Sequence, residues 1–415
     1  MSECDQFTED SQSENGSKCD VNEAHDKTFY DSFPFKSHKF NRFLVISILQ
    51  EYIESGASVK TPVRCVDVVS DCGGNGLFWK LTFGSSIDVV VNNCEAQIAE
   101  LIERNASLNN LKVCVANKDP CVLLHERGYN FVYLDCKTEA AQCFDAAVRN
   151  ISRQGIFVVT TNDDSSLHGG DNNVAFRRYG GRITRTTYAA ELGIRLFIAA
   201  LARSAARHDR AIRVLLCAVY KSTFTVAIMC LNGASLANRV IKEEIRSLKH
   251  CMVCEERVFY PPETEFPVDH NSVKLPCECS KNAPGETCQV LGPLWSGDLF
   301  DRDFIDRMLF RGLVGDQFLE KELKTILEES KCPSKEDDNV GGKRMKMDHV
   351  SSPPFYYNVH KHHPRSEQQV TMNKIINELR NAGFRASRTH FDKVSIRTNA
   401  NMREMAYIIK KIGEK

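Results

Sequence analysis

The sequence predicts an α/β protein: a doubly wound, mostly parallel sheet followed by a smaller α+β region. Three observations predict it. Short β-branched runs alternate with helical stretches from Arg64 to Thr161, as expected of strands joined by crossover helices. The first run, Arg64-Cys65-Val66-Asp67-Val68-Val69, stops at Ser70-Asp71-Cys72-Gly73-Gly74-Asn75-Gly76. A strand-to-helix turn needs glycine there for positive φ and close backbone approach to a ligand. Cysteine pairs, Cys251/Cys254 and Cys277/Cys279, appear only after the alternation has ended.

The elements follow in order. Residues 1–27 are rich in Ser, Asp, Glu and Asn and poor in aromatics, a composition that stays disordered. Asn41 to Ser55 carries Leu44, Ile48, Leu49, Tyr52 and Ile53 at helical spacing. The glycine turn opens a helix through Trp79. Asp88-Val89-Val90-Val91 is a strand closed by Asn92-Asn93, and Glu95 to Asn105 a helix. Val113-Cys114-Val115 is a short strand leading to Asn117-Lys118-Asp119-Pro120. Phe131-Val132-Tyr133-Leu134 is a strand with Asp135 at its carboxyl end, where open α/β sheets bind ligands. A helix over Asp145 to Ser152 and a strand over Ile156 to Thr161 come next. Tyr188 to His208 is a long alanine-rich helix. Arg203, Arg207 and Arg210 fall on one side of it, more often a solvated face than a phosphate-binding stripe. Val214 to Val219 and Phe224 to Met229 form a closing hairpin.

Composition narrows the class. The chain has 415 residues, 42% hydrophobic and 26% charged, enough for two or three domains. The formal net charge is zero, but it is unevenly spread. Residues 1–31 hold nine acidic and two basic residues, and residues 353–415 hold twelve basic and five acidic. The basic end suits nucleic acid, although solvated charge is the commoner meaning. No apolar stretch has signal-peptide form or membrane-span length, so no membrane partner is expected. Seventeen cysteines are an odd number, which fits free thiols in a reducing compartment better than a disulfide scaffold.

Two close cysteine pairs, Cys251/Cys254 and Cys277/Cys279, suit tetrahedral thiolate zinc. The second pair has one intervening residue where two are usual; free thiols are the alternative, and Cys288 is a possible substitute ligand. A structural zinc would staple a β-rich module with little core of its own. Cys332 to Ser352 is a polar linker holding Lys343-Arg344-Met345-Lys346. This short basic run matches a nuclear import signal, so the nucleus is the expected compartment, with the cytoplasm second. After it, Met372 to Asn381 is helical and stops at Gly383, Phe384 to Ser387 and Val394 to Arg397 are strands, and Met402 to Lys411 is a final helix. This module carries Arg385, Arg388, His390, Lys393 and Arg397.

In their order, these stretches resemble the tRNA guanine-N2 dimethyltransferases, closest to the tRNA methyltransferase 1-like branch. The resemblance runs from about Phe29 to Lys411. Phe29-Tyr30 and Asn41-Arg42 resemble the N-terminal signatures of that family, and Asp67 to Trp79 its cofactor turn. Val159-Thr160-Thr161-Asn162-Asp163, Tyr179-Gly180, Arg185-Thr186 with Tyr188, and Glu191 follow its central block. Leu291 to Ser296, Pro354-Phe355-Tyr356-Tyr357 and Ala382 to Asp392 complete the series. The resemblance implies a Rossmann-like class I methyltransferase sheet over 28–245, with S-adenosylmethionine as donor and tRNA as substrate. It implies a C-terminal domain stapled by zinc over 246–330, a linker over 331–352, and a basic, tRNA-binding α+β part over 353–415. A monomer is expected. Arg42, Ser70, Gly73, Asn93, Asp119 and Pro120 match cofactor positions. Asp135 matches the catalytic aspartate, and Cys251, Cys254, Cys277 and Cys279 match the zinc ligands.

The implied reaction methylates the exocyclic nitrogen of a guanine at position 26 or 27, where the D arm meets the anticodon stem. That nitrogen is a poor nucleophile, so a carboxylate at the strand end must accept its proton while amine and methyl are held in line. The chain departs from the family at this point. Its motif reads Leu134-Asp135-Cys136-Lys137-Thr138, without the proline and the aromatic residue that stacks a base. Asn93 stands where an acidic residue holds the ribose, and one amide oxygen accepts fewer hydrogen bonds than a carboxylate. The alternative is a tRNA-binding protein that keeps the fold without the reaction.

Overall fold

In the computed structural model, residues 39–55, 62–136, 138–262, 272–312, 317–334, 352–362 and 371–413 are described. The signature Phe29-Tyr30, Lys137 and the basic run Lys343 to Lys346 lie outside them.

The chain begins with α1 (Lys39–Glu54), then β1 (Val63–Asp67), α2 (Gly74–Phe83), β2 (Ile87–Asn92), α3 (Ala96–Leu108) and β3 (Cys114–Ala116). It continues through α4 (Pro120–Glu126), β4 (Phe131–Asp135), α5 (Phe144–Asn150) and β5 (Ile156–Thr161). The short α6 (Asp164–Leu167), α7 (Asn172–Tyr179) and the long α8 (Ala189–Ala206) lead to the hairpin β6 (Arg210–Tyr220) and β7 (Thr223–Asn232). These strands form one seven-stranded sheet in the order β3-β2-β1-β4-β5-β7-β6. Strands β1 to β5 are parallel, β7 runs antiparallel to β5, and β6 antiparallel to β7. The strand order reverses at β1, and a crevice forms there beyond the strand ends.

Tertiary context lengthens some predicted elements and adds others. The hairpin strands pair from Arg210↔Asn232 to Tyr220↔Thr223, beyond the predicted runs, because they share a register with each other and with β5. Helix α4 was not expected. Asp119 caps it, accepting from the Cys121 and Val122 amides at 2.8 and 3.1 Å, and Pro120 stands in the first turn. This is the Asp-Pro start that helices favour.

After α9 (Ala234–Glu244) comes a three-stranded sheet of β8 (Ile245–Cys251), β9 (Arg257–Phe259), and, after the short α10 (Cys279–Asn282), β10 (Cys288–Trp295). Two further helices follow, α11 (Arg302–Arg311) and α12 (Gln317–Lys331). Here the expectation of a β-rich module with little core is corrected. Leu291, Trp295, Phe304, Ile305, Leu323 and Ile326 belong to the same core as the large sheet. Apolar i, i+3, i+4 spacing on α11 and α12 covers a face that would otherwise be wet. Residues from Tyr357 to Ile412 form a second, smaller core around the sheet of β11 (Tyr357–Asn358), β12 (Ala386–Arg388) and β13 (Ser395–Thr398). Helices Met372–Asn381 and Met402–Gly413 pack on it.

Candidate active site and cysteine cluster

A cavity of about 600 Å³ opens at the carboxyl ends of β1, β4 and β5. Arg42, Ser70, Asp119, Pro120 and Asp135 line it. Gly73 and Asn93 are not on the wall; their neighbours Cys72, Gly74 and Cys94 are.

The turn after β1 shapes one side. Gly73 has φ +89, and a Cβ there would stand 2.7 Å from Leu77 Cδ1. Only glycine holds this conformation without strain. The N-terminus of α2 starts at Gly74, and its open amides and dipole suit a carboxylate or other anion. Ser70 is buried, its amide donating to Asn92 O at 2.9 Å.

Asn93 works on the backbone. Its amide donates to Ser70 O at 2.8 Å, and its side-chain oxygen accepts from the Glu95 amide at 2.7 Å. These bonds lock the β1 and β2 exits together. Asp119 spends one carboxylate oxygen on the α4 cap. Pro120 and Cys121 continue the wall towards Cys143, whose sulfur lies 3.8 Å from that of Cys121.

Arg42 enters from α1. Burial lowers its pKa, against the nearby Cys72, Tyr133, Asp67 and Asp71. Asp67, at the end of β1, is fully buried and accepts from the Gly76 amide at 3.1 Å. Burial pushes its carboxyl up to about 7. Sequence reasoning missed a role for Asp67, because an acid inside a β-branched run reads as the solvent face of an edge strand.

Asp135 pairs with Thr160 in the β4–β5 register. Its Oδ2 accepts from the Tyr133 hydroxyl at 2.9 Å. That hydroxyl lies 3.4 Å from Thr160 Oγ1, which is 3.1 Å from Thr225 Oγ1, and Thr225 donates to Asn41 Oδ1 at 3.3 Å. Sequence reasoning missed this string of hydroxyls too. It depends on the β4–β5–β7 register, which no local motif encodes.

The second candidate site lies at the end of β8. The sulfurs of Cys251, Cys254, Cys277 and Cys279 all lie within 4.8 Å of one another. A tetrahedral zinc with Zn–S of about 2.3 Å needs sulfurs about 3.8 Å apart, so the four thiols fit one ion. Cys288, opposite Cys251 in the β8–β10 register, is not part of the group. Four thiols that close round one ion leave it no open position, the arrangement of structural rather than catalytic zinc.

The basic residues of the C-terminal module separate into two sets. Arg397 and His390 are withdrawn from solvent. Arg397 pairs with Glu191 at 2.8 Å and Glu329 at 2.7 Å, and His390 Nδ1 lies 2.6 Å from Glu329. Arg385 donates to the carbonyls of Cys332 and Lys331 at 3.0 and 2.9 Å. Arg388, Lys393, Arg403, Lys410 and Lys411 are exposed. The predicted arginine stripe does not stay on α8, since Arg207 follows the helix and Arg210 opens β6, and each of the three is paired. Arg203 donates to Tyr179 O at 2.5 Å, Arg207 grips Asp145 at 2.7 Å, and Arg210 donates to Ile151 O.

The family profile described as N2,N2-dimethylguanosine tRNA methyltransferase matches residues 10–410. The tRNA (guanine(27)-N(2))-dimethyltransferase of Homo sapiens is 32% identical over 449 aligned residues, covering 92% of this chain and 60% of that protein. The tRNA (guanine(26)-N(2))-dimethyltransferase of Methanosarcina barkeri is 26% identical, covering 93% of this chain and 92% of that protein. The chain therefore spans about 60% of the length of the mammalian relatives it matches. Among solved structures, Trm1 from Pyrococcus horikoshii in complex with S-adenosyl-L-methionine superimposes with a TM-score of 0.71 at 22% identity. It covers 89% of this chain and 92% of that one. That likeness supports the fold: a mostly parallel seven-stranded sheet clad with helices.

Proposed function

The chain belongs to the N2,N2-dimethylguanosine tRNA methyltransferase family, and from that premise we propose that it methylates the exocyclic N2 of a guanine in tRNA with S-adenosylmethionine as donor. Guanine 27 is the preferred target within this reading, since the relatives named for position 27 share 32% of residues and those named for position 26 share 26–28%. The observation that carries the reading is Asp135 on the wall of an open cavity at the strand ends, facing the glycine turn. The cavity lies within the range of about 300–1,000 Å³ that small-molecule sites occupy.

The residues divide the work. The α2 N-terminus, on the turn that Gly73 shapes, receives the carboxylate end of the donor, and Asp119 and Pro120 frame its adenine end. S-adenosylmethionine supplies an electrophilic methyl when bound. Asp135 accepts the N–H of the guanine amine. Arg42 balances Asp67 and Asp71 beneath it. One structural zinc on Cys251, Cys254, Cys277 and Cys279 fixes the end of β8. tRNA is gripped by the outer face of helix Met402–Gly413, where Arg403, Tyr407, Lys410 and Lys411 recur at helical spacing. Tyr407 is 68% exposed, an aromatic among cations of the kind that stacks a base. A monomer acting in the nucleus completes the reading.

A second reading, a tRNA-binding protein without the reaction, is favoured by two features. Cys136 follows Asp135 where the family has proline, and the Asn93 side chain is tied to the backbone. Incubating the protein with S-adenosylmethionine and a tRNA transcript, then digesting the RNA and weighing its nucleosides, separates the two. The enzyme yields N2-methylguanosine or N2,N2-dimethylguanosine. Tight tRNA binding without either nucleoside establishes the second reading.

A further inference from the structure

We propose that Tyr133 is the positioning residue for Asp135, its hydroxyl aiming the carboxylate beside a buried hydroxyl string, anchored on Asn41, that has no proton to offer the phenol. The inference deepens the methyltransferase reading and rests on it.

Residues two apart on a strand share a face, so Tyr133 and Asp135 of β4 point the same way. Tyr133 is fully buried and its hydroxyl is 2.9 Å from Asp135 Oδ2. Burial and the carboxylates of Asp135 and Asp67 raise the phenol well above its ordinary pKa. The phenol therefore keeps its proton and acts as donor. The string fixes the direction of that proton. Thr225 donates to Asn41 Oδ1 at 3.3 Å, which leaves its oxygen to accept from Thr160 at 3.1 Å. Thr160, its proton committed to Thr225, lies 3.4 Å from the phenol oxygen. The carboxylate is the closer and the charged acceptor, so it takes the Tyr133 proton. The ring is held edge-on to Trp79 at 6.0 Å, which leaves the hydroxyl little freedom.

The arrangement supplies what the altered motif lacks. Proline after the aspartate would fix the backbone φ; Cys136 does not. Here the side chain is aimed instead, with Oδ2 held by Tyr133. It also gives Asn41, on α1, a role at the active site across three strands. The other charged or titratable groups about Asp135 are Arg42 from α1, Asp67 from β1, Asp71 and Cys72 from the following turn, and Cys136, Glu139 and Cys143 after β4.

Tyr133→Phe keeps the ring and removes only the donor. A hydrogen bond to the charged form lowers a carboxyl pKa, so its loss raises that of Asp135. Two readouts on the full chain are compared. In the methylation assay, the acidic limb of the pH–rate profile moves up by about one pH unit. kcat falls roughly tenfold, while KM for S-adenosylmethionine changes less than about twofold, as expected for an interaction with the reacting group rather than with the donor. In infrared titration, the Asp135 carboxylate band, identified by subtracting the Asp135→Asn spectrum, titrates higher in Tyr133→Phe. Thr160→Val, which leaves the Tyr133 ring and its hydroxyl in place and removes only the competing acceptor 3.4 Å away, does not raise the same band. An unmoved band in Tyr133→Phe overturns the proposal whatever the activity. A moved band in a protein that methylates no tRNA supports the hydrogen bond and overturns the methyltransferase reading.

Discussion

At the scale of single residues, the site is defined by carboxylates in unlike settings. Asp135 stands on the cavity wall, whereas Asp67 is buried behind it and held by the Gly76 amide. Burial raises the folded pKa of Asp67 to about 7, above an unfolded value of about 3.9. Its contribution to stability is therefore full below about pH 4 and lost as pH rises through 7. Asp67→Asn removes that slope. The melting temperature of the variant should fall less between pH 5 and 8 than that of the parent, and equal slopes would refute the assignment. Asp135 was legible because a strand-end acid beyond an apolar run has few structural explanations. Tyr133 and Asp67 were not, because within a strand their letters are compatible with either face until neighbours fix the register.

At the scale of elements, punctuation was legible where glycine supplied it. Gly73 must hold φ +89 against Leu77, so the turn and helix α2 could be read directly. Helix α4 carried an equally physical signal in Asp119-Pro120, but its seven residues are too few to show an apolar period. Helices α11 and α12 have apolar faces of Phe304, Ile305 and Met308 and of Leu319, Leu323 and Ile326, but their spacing alone does not say which sheet they cover. The cysteine cluster gives an elemental prediction. Metal analysis should find about one zinc per chain, lost in Cys251→Ser/Cys254→Ser; metal retained in that variant would place it elsewhere. The outer face of helix Met402–Gly413 gives another. Lys410→Glu/Lys411→Glu should weaken tRNA binding and flatten its salt dependence by roughly one to two in log–log slope. Donor binding should be unchanged, because the donor cavity is built from other elements. An unaltered slope would move the RNA to another face.

At the scale of the whole molecule, a buried ion cluster joins the parts. Glu191 and Arg195 come from α8, Glu329 from α12, and Arg397 from β13, which also holds Pro353 O at 2.7 Å. The charge count of residues 353–415 includes Arg397, and His390 is grouped with the same basic module, since composition cannot distinguish a paired buried cation from an exposed one. Folding withdraws both and uses them to fix the C-terminal module against the large sheet. Arg397→Met would remove the cation that Glu191 and Glu329 share, leaving Glu191 to Arg195 and Glu329 to His390, at a cost of about 3–5 kcal/mol. Calorimetry should show a large fall in melting temperature; a loss near zero would mean the cluster is not coupled to folding. Its acid response has a definite sign. Glu329, paired with Arg397 and His390, is held down at about 2. Its stabilisation is present above the unfolded value of about 4.3 and is lost as pH falls through 2.

All three scales converge on one cavity and the carboxylate on its wall. The most direct test weighs the nucleosides of a tRNA transcript after incubation with S-adenosylmethionine and either the parent protein or Asp135→Asn. The parent should produce N2-methylated guanosine, and Asp135→Asn should reduce it by at least about a hundredfold, the usual worth of a positioned general base. Equal methylation by both proteins, or none by the parent, would contradict the account.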